Sequence, residues 1–401
     1  MSAKRLGLLA AIAVVLVLLA IGLRIAHKPP ADNAPRDQPL LPALRDHVND
    51  VSAITLSGTG AKVIATLARG KDGWTIAERS GYPADVSAIR ELLVKLGRST
   101  LIEPKTANPQ RYPDIGVDDV ASKDAKGVLV NIAGLSAPTG LIVGSYSAPA
   151  QGTFVRRVGE AQTWLATGDL SVPRTVSDWE KRDVVDIVAD RIASVTLTSP
   201  EGKAVTLSRA HPGDAAFALD DVPAGRQVDQ GVASTVVATL SGLRVDDVFS
   251  AKDVPAPDGT YKARYATFDG EEIQAVAWMR EGKDYVQFHA ALDRAVAQKH
   301  LMQAQPGATP AHDSAAKPTA PAGAFATEAK AGSTAAAKSS PPDPQAKLEA
   351  LDKEVADLDR SFSGWTYVVP AYVYGSMTKT VNDLLQPIKN KKPAAADSRN
   401  H

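Results

Sequence analysis

The residue types best suited to chemistry are seven histidines, four pairs of adjacent acids and a Ser-x-x-Lys stretch, and their spacing argues against a reaction centre. His27, His47, His211, His289, His300, His312 and His401 are scattered, and none forms a His-Glu-x-x-His pair that would set two metal ligands on one helix face. His289, next to Phe288, reads as a strand-end or surface histidine. The pairs Asp118-Asp119, Asp220-Asp221, Asp246-Asp247 and Glu271-Glu272 would point to opposite faces of a strand, so sequence neighbours there cannot share a substrate as acid and base. Turn and helix-cap duty is the expectation for them. Ser376-Met377-Thr378-Lys379 matches the arrangement in which lysine draws a proton from a serine one helical turn away. The same pattern recurs at Ser314 to Lys317 inside a low-complexity tract, so Ser376 is read as the N-cap of the last helix. No Gly-x-x-x-x-Gly-Lys loop and no Gly-x-Gly-x-x-Gly turn offers phosphates a backbone cradle. A non-enzymatic chain without cofactor or metal is expected; the rival is a hydrolase whose site is assembled only in three dimensions.

Recognition is the remaining chemistry. Trp365, Tyr367, Tyr372 and Tyr374 alternate with Val368, Val369 and Val373 and form the one candidate interaction surface. The plainer reading is a late strand whose large side chains fill the core. With 45 basic and 45 acidic residues the net charge is zero, so no whole-chain basic field collects nucleic acid, and no nucleic-acid partner is expected. Cysteine is absent, which excludes disulfides, thiolate metal sites and thiol nucleophiles.

The elements that must position these residues begin with an apolar run from Leu6 to Leu23, bounded by Lys4 and Arg5 on one side and by Arg24, His27 and Lys28 on the other. A helix of this length with its flanks crosses roughly 30 Å of hydrocarbon. The run lacks a small-residue cleavage site, so it reads as a retained transmembrane anchor, with the lipid bilayer as partner of residues 6–23. The expected address is the bacterial inner membrane, single-pass, with the C-terminal domain in the periplasm. Residues 1–28 are the tail and anchor, and 29–48, with Pro29, Pro30 and Pro35, a stiff stalk.

Past the stalk the sequence repeats itself. Ala53-Ile54-Thr55-Leu56 matches Ser194-Val195-Thr196-Leu197, each followed by a Gly-containing turn and a second alternating strand. Trp74-Thr75-Ile76 falls opposite Phe217-Ala218-Leu219. Asp85 precedes Ile89, Leu92, Leu93 and Leu96, and Asp229 precedes Ala233, Val236, Val237 and Leu240; each aspartate is placed to cap an amphipathic helix. Thr175-Val176-Ser177-Asp178-Trp179 has its counterpart in Thr380-Val381-Asn382-Asp383-Leu384. Between them lies a tract of Ala, Pro, Ser, Lys and Gly over 303–345 that cannot bury enough apolar surface to order itself. Leu348, Leu351, Val355 and Leu358 then mark a helix leading back into the fold. The expected class is α+β: a first repeat unit over 49–190, and a second over 191–302 and 346–390 interrupted by a disordered insertion at 303–345, with a disordered tail at 391–401.

The chain resembles the bacterial family called domain of unknown function 4340. The resemblance rests on the N-terminal run, on Asp72-Gly73-Trp74-Thr75-Ile76 leading into Tyr82-Pro83-Ala84-Asp85, and on Tyr112-Pro113-Asp114-Ile115-Gly116-Val117. It continues through Leu141-Ile142-Val143-Gly144, Phe154-Val155-Arg156 and the segment from Trp179 to Val184. It implies a single anchor, an extracytoplasmic domain and partnership with subunits of an ABC-type exporter of the gliding-motility kind. It carries over no catalytic residue. A membrane-anchored accessory protein is thus the leading expectation, and a periplasmic module that binds a lipid, glycan or peptide the alternative.

Overall fold

Residues 38–137, 139–303 and 344–387 are described by the computed structural model. The chain divides after Lys181 into two units.

In the first unit, residues of alternating burial form β1 (Ala53–Ser57), β2 (Val63–Gly70), β3 (Gly73–Ile76), β4 (Tyr82–Pro83), β5 (Leu101–Pro104), β6 (Val128–Ala133), β7 (Thr139–Ser147), β8 (Gly152–Arg157) and β9 (Thr163–Thr167). They make one antiparallel sheet in the order β4-β3-β2-β1-β6-β7-β8-β9-β5. Because side chains alternate across a strand, Ile54 and Leu56 of β1 bury on the same face as Ala65 and Leu67 of β2. Helix α2 (Val86–Arg98) covers that face with Ile89, Leu92, Leu93 and Leu96. Each such side chain contributes roughly 1.5–3 kcal/mol when fully buried. Asp85 starts the helix by accepting the backbone N–H groups of Ser87 at 2.8 Å and Ala88 at 3.1 Å. Ahead of the sheet, a single turn α1 (Pro42–Arg45) and its flank bury Leu40, Leu41 and Leu44 in the same core. Arg157 holds that entry segment, donating to the carbonyls of Leu40 at 2.9 Å and Pro39 at 3.1 Å. On the other face, Tyr112 of the short helix α3 (Tyr112–Ile115) packs with Val117 and Ile142.

The second unit contains β10 (Asp183–Val185), β11 (Ile192–Thr198), β12 (Ala204–Ser208), β13 (Ala218–Leu219), β14 (Leu243–Arg244), β15 (Asp247–Ser250), β16 (Tyr261–Thr267), β17 (Glu271–Arg280), β18 (Lys283–Leu292) and β19 (Trp365–Val368). Its large sheet runs β13-β12-β11-β16-β17-β18-β19-β15, which is the order of the first sheet from β3 to β5, strand for strand. The register repeats as well: Thr55 faces Thr66 as Thr196 faces Thr206, and Leu56 faces Ala65 as Leu197 faces Val205. Helix α4 (Gln230–Val237) stands where α2 does, and Asp229 caps it through the N–H groups of Gly231 at 3.0 Å and Val232 at 3.2 Å. Where residues 158–162 join β8 to β9, the second unit inserts 293–364 between β18 and β19. The described parts of that insertion are α5 (Arg294–Gln303) and α6 (Pro344–Phe362), joined by an ion pair of Arg294 with Asp352 at 2.8 Å. Phe362 closes α6 onto the sheet, its ring 5.6 Å from that of Phe288 on β18. Last comes α7 (Ala371–Met377).

The α+β class expected from the sequence is therefore corrected: the described chain is mostly antiparallel β-sheet with few helices. Most strands pair with a sequence neighbour, while β1 with β6, β5 with β9, β11 with β16 and β15 with β19 pair over longer stretches. The sheets thus grow to nine and eight strands, packed by α2 in the first unit and by α4 and α6 in the second. The transmembrane helix expected over 6–23 lies outside the described residues, as do the stalk up to residue 37, the tract 304–343 and the tail from 388. No helix among the described residues is long and apolar enough to cross a membrane. Three boundaries also differ. Residues 38–48, read as the end of the stalk, belong to the core of the first unit through Leu40, Leu41 and Leu44. Residues 182–190, placed in the first repeat, pair within the second, because Asp183 and Val185 face Arg244 and Leu243. Gln303, Pro344 and Gln345, placed in the disordered insertion, end α5 and begin α6.

Candidate functional site

Each unit has, among its clefts, one at the same place in its fold, between the tip of its first hairpin and its closing segment. In the second unit the hairpin wall is built by the turn from Ser199 to Lys203, fixed by Ser199 N–H donating to the Lys203 carbonyl at 2.9 Å. The opposite wall is Lys379-Thr380-Val381-Asn382, at a 3₁₀ turn fixed by a capping box: Asp383 accepts the Thr380 N–H at 2.8 Å and the Thr380 hydroxyl at 2.7 Å. These two hydrogen bonds, backbone first, hold the Asp383 carboxyl below its ordinary range. The cleft measures about 330 Å³ and has Leu197, Val205 and Tyr261 along its floor and side. That is at the lower end of the range for small-ligand sites.

The first unit repeats the construction. Gly58 N–H donates to the Lys62 carbonyl at 2.8 Å, matching the bond from Ser199 to Lys203. Thr175 and Asp178 form the second capping box, hydroxyl to carboxylate at 2.6 Å. Arg174 stands where Lys379 does, directly ahead of the capping threonine, and the cleft encloses about 530 Å³. The remaining lining differs. Register places Val128 of β6 where the second unit has Tyr261, and Glu78 and Arg79 border the first cleft alone.

The four aromatic residues singled out in the sequence do not form one surface. Trp365 is half-buried on β19, whereas Tyr367 is 1 % exposed and packs against Phe288 with ring centres 5.8 Å apart. Tyr372 and Tyr374 are not on a strand at all: Pro370, with no N–H to give to a ladder, occupies the N-cap of α7. Tyr372 is 67 % exposed. Tyr374 stands edge-on to Tyr261 at 6.3 Å, and burial, together with Tyr261 and Asp284, keeps its phenol above the ordinary value.

Ser376 is not the N-cap of the last helix. It is buried inside α7, and its hydroxyl donates back to the Tyr372 carbonyl at 2.9 Å, the usual fate of a serine within a helix. Ser314 to Lys317 lies outside the described residues. Glu271 and Glu272 serve no turn: they open β17, where Arg191 pairs with Glu271 at 2.8 Å and Arg264 with Glu272. Burial raises the Glu271 carboxyl, with Arg191 opposing. His289 lies 3.6 Å from Asp359, and among the described residues no group of three His, Cys, Asp or Glu side chains is placed to hold a metal ion. The clefts themselves escaped the sequence reading, although their signal was there: a cation precedes the repeated Thr-Val-x-Asp at both Arg174 and Lys379.

Among known proteins, residues 74–262 match a family described as a domain of unknown function (DUF4340), from β3 of the first unit into β16 of the second. No curated protein and no solved structure matches the chain.

Proposed function

Taking residues 74–262 as belonging to the DUF4340 family, we propose that the chain is a non-catalytic accessory protein of a bacterial envelope, tethered to the inner membrane and associated with an ABC-type transport system. The observation that carries this reading is the apolar run from Leu6 to Leu23, set between basic residues and placed ahead of two β-sheet units. Such a run is stable in lipid and costly to leave in water, since every buried CH₂ is worth about 0.8 kcal/mol. Lys4 and Arg5 together with the short N-terminal tail favour insertion with that tail inside and the two units outside the cytoplasm. The two β-sheet units, with their hydroxyls and carboxylates used in caps and turns, suit contact and positioning more than bond chemistry.

The test is co-purification. The full chain, cross-linked in its native membrane and solubilised in mild detergent, is expected to bring down a permease and an ATP-binding subunit. Removal of residues 1–28 is expected to abolish that recovery. Isolation of the intact chain without any transporter subunit would contradict the assignment.

A further inference from the structure

We propose that the paired clefts are two anion sites, each taking one phosphate group between a cation on its hairpin wall and a cation on its closing wall. The pairs are Lys203 with Lys379 in the second unit and Lys62 with Arg174 in the first.

The polar groups around each cleft leave few hydrogens to give. Thr59 donates to the Ala125 carbonyl at 2.7 Å, Ser199 to Glu201 at 2.7 Å, Thr175 to Asp178 and Thr380 to Asp383. Glu201, Asp178 and Asp383 are held in those same bonds, and Glu78 accepts the Thr66 N–H at 2.7 Å. The Glu201 carboxyl is kept below its ordinary range by the Ser199 hydroxyl first, with Lys203 acting in the same direction. Arg174 gives one of its N–H groups to the Lys126 carbonyl. Among the described residues, the ammonium groups of Lys62, Lys203 and Lys379 make no side-chain hydrogen bond or ion pair. Each cleft therefore sets a cation on each of two facing walls, with Glu201 near Lys203 and Asp383 near Lys379 in the second unit and Glu78 in the lining of the first. A bound anion would compete with those carboxylates for the cations.

An unpaired lysine at a hairpin turn is ordinary by itself. Here the backbone register makes Lys62 equivalent to Lys203, and the capping boxes make Arg174 equivalent to Lys379. Both cationic positions persist in both copies while Val128 and Tyr261 beside them have diverged. Turn geometry does not demand this, because the turn bonds are made by backbone atoms. At the closing wall, arginine stands in one copy and lysine in the other. What is kept is charge and reach, not the planar fork that grips carboxylate or phosphate bidentately, and lysine binds phosphate as a point charge. A phosphate can present oxygens to both walls at once. The source of the group, a phospholipid headgroup or free phosphate, is for the experiment to separate.

Calorimetric titration of the full chain in a neutral detergent would use inorganic phosphate, monomeric dihexanoyl phosphatidylglycerol and acetate as probes. Two phosphate-competent sites per chain are expected. Lys203→Gln with Lys379→Gln should remove one, Lys62→Gln with Arg174→Gln the other, and all four substitutions both. Lys203→Arg with Lys379→Arg should keep two, which separates loss of charge from loss of fold. Saturation by the lipid at a concentration at least tenfold below that of phosphate assigns the sites to headgroups, and equal or tighter binding of inorganic phosphate assigns them to the free ion. Absence of saturable binding, a stoichiometry that the substitutions leave unchanged, or acetate binding as tightly as phosphate would overturn the proposal. None of these outcomes depends on where the chain resides, so failure here leaves the membrane assignment standing.

Discussion

Tyr265 shows how closely the fate of one residue follows its surroundings. It is fully buried on β16, and burial pushes its phenol well above the ordinary value, with only the Thr239 hydroxyl working against the shift. The neutral phenol is thus favoured in the folded chain. Below the unfolded pKa of about 10 both states are protonated and pH has no hold through this group. Above it the unfolded chain loses its proton first, so the folded state is destabilised as pH rises. Tyr265→Phe is expected to flatten that alkaline loss, read as urea midpoints between about pH 9 and pH 11. An unchanged slope would mean that the phenol is solvated or ionised in the fold. The four aromatics teach the complementary lesson: Tyr367 and Tyr372 are five residues apart in a valine-rich stretch, yet one is in the core and the other in solvent. Alternation alone did not separate them, because Pro370 ends the strand and begins a helix with a different period.

At the level of elements, the helices α2 and α4 depend on the aspartates that start them. Each carboxylate satisfies two backbone N–H groups that have no partner within the helix. Asp85→Ala and Asp229→Ala are each expected to cost about 1 kcal/mol of stability in urea unfolding, and the corresponding Asn variants much less. Equal losses for Ala and Asn would point to charge instead of capping. Both caps were legible in the sequence because a cap is local: an Asp directly before an apolar period of three and four. The hairpins β1–β2 and β11–β12 were legible for the same reason, and so was the correspondence of Thr175 to Asp178 with Thr380 to Asp383. What the sequence concealed is what depends on distant partners. The edge strand β5 pairs with β9 some sixty residues on, and β15 with β19 across the whole insertion. Leu40 and Leu44 looked like part of a stalk because the surface that buries them, along α2, lies dozens of residues later. Helix α5 has only Ala297 buried, too weak an apolar stripe to announce itself. The clefts were missed because a cleft belongs to two walls, one near residue 200 and the other near residue 380.

For the whole molecule, one plan of strands occurs twice along a chain that begins with an apolar run. The class expected from the sequence gave its helices too much weight, since two sheets of nine and eight strands form the frame of the described chain even though α6 alone has nineteen residues. The account of function rests on those two units being presented outside the cytoplasm from a membrane-held start. The native chain has no cysteine, and Tyr372 is 67 % exposed, so Tyr372→Cys supplies a single reporter thiol. The decisive measurement is labelling of that thiol in intact spheroplasts by a membrane-impermeant maleimide, followed by separation of membrane and soluble fractions. The account predicts full labelling before lysis and recovery with the membranes; labelling only after lysis, or a labelled chain in the soluble fraction, would contradict it.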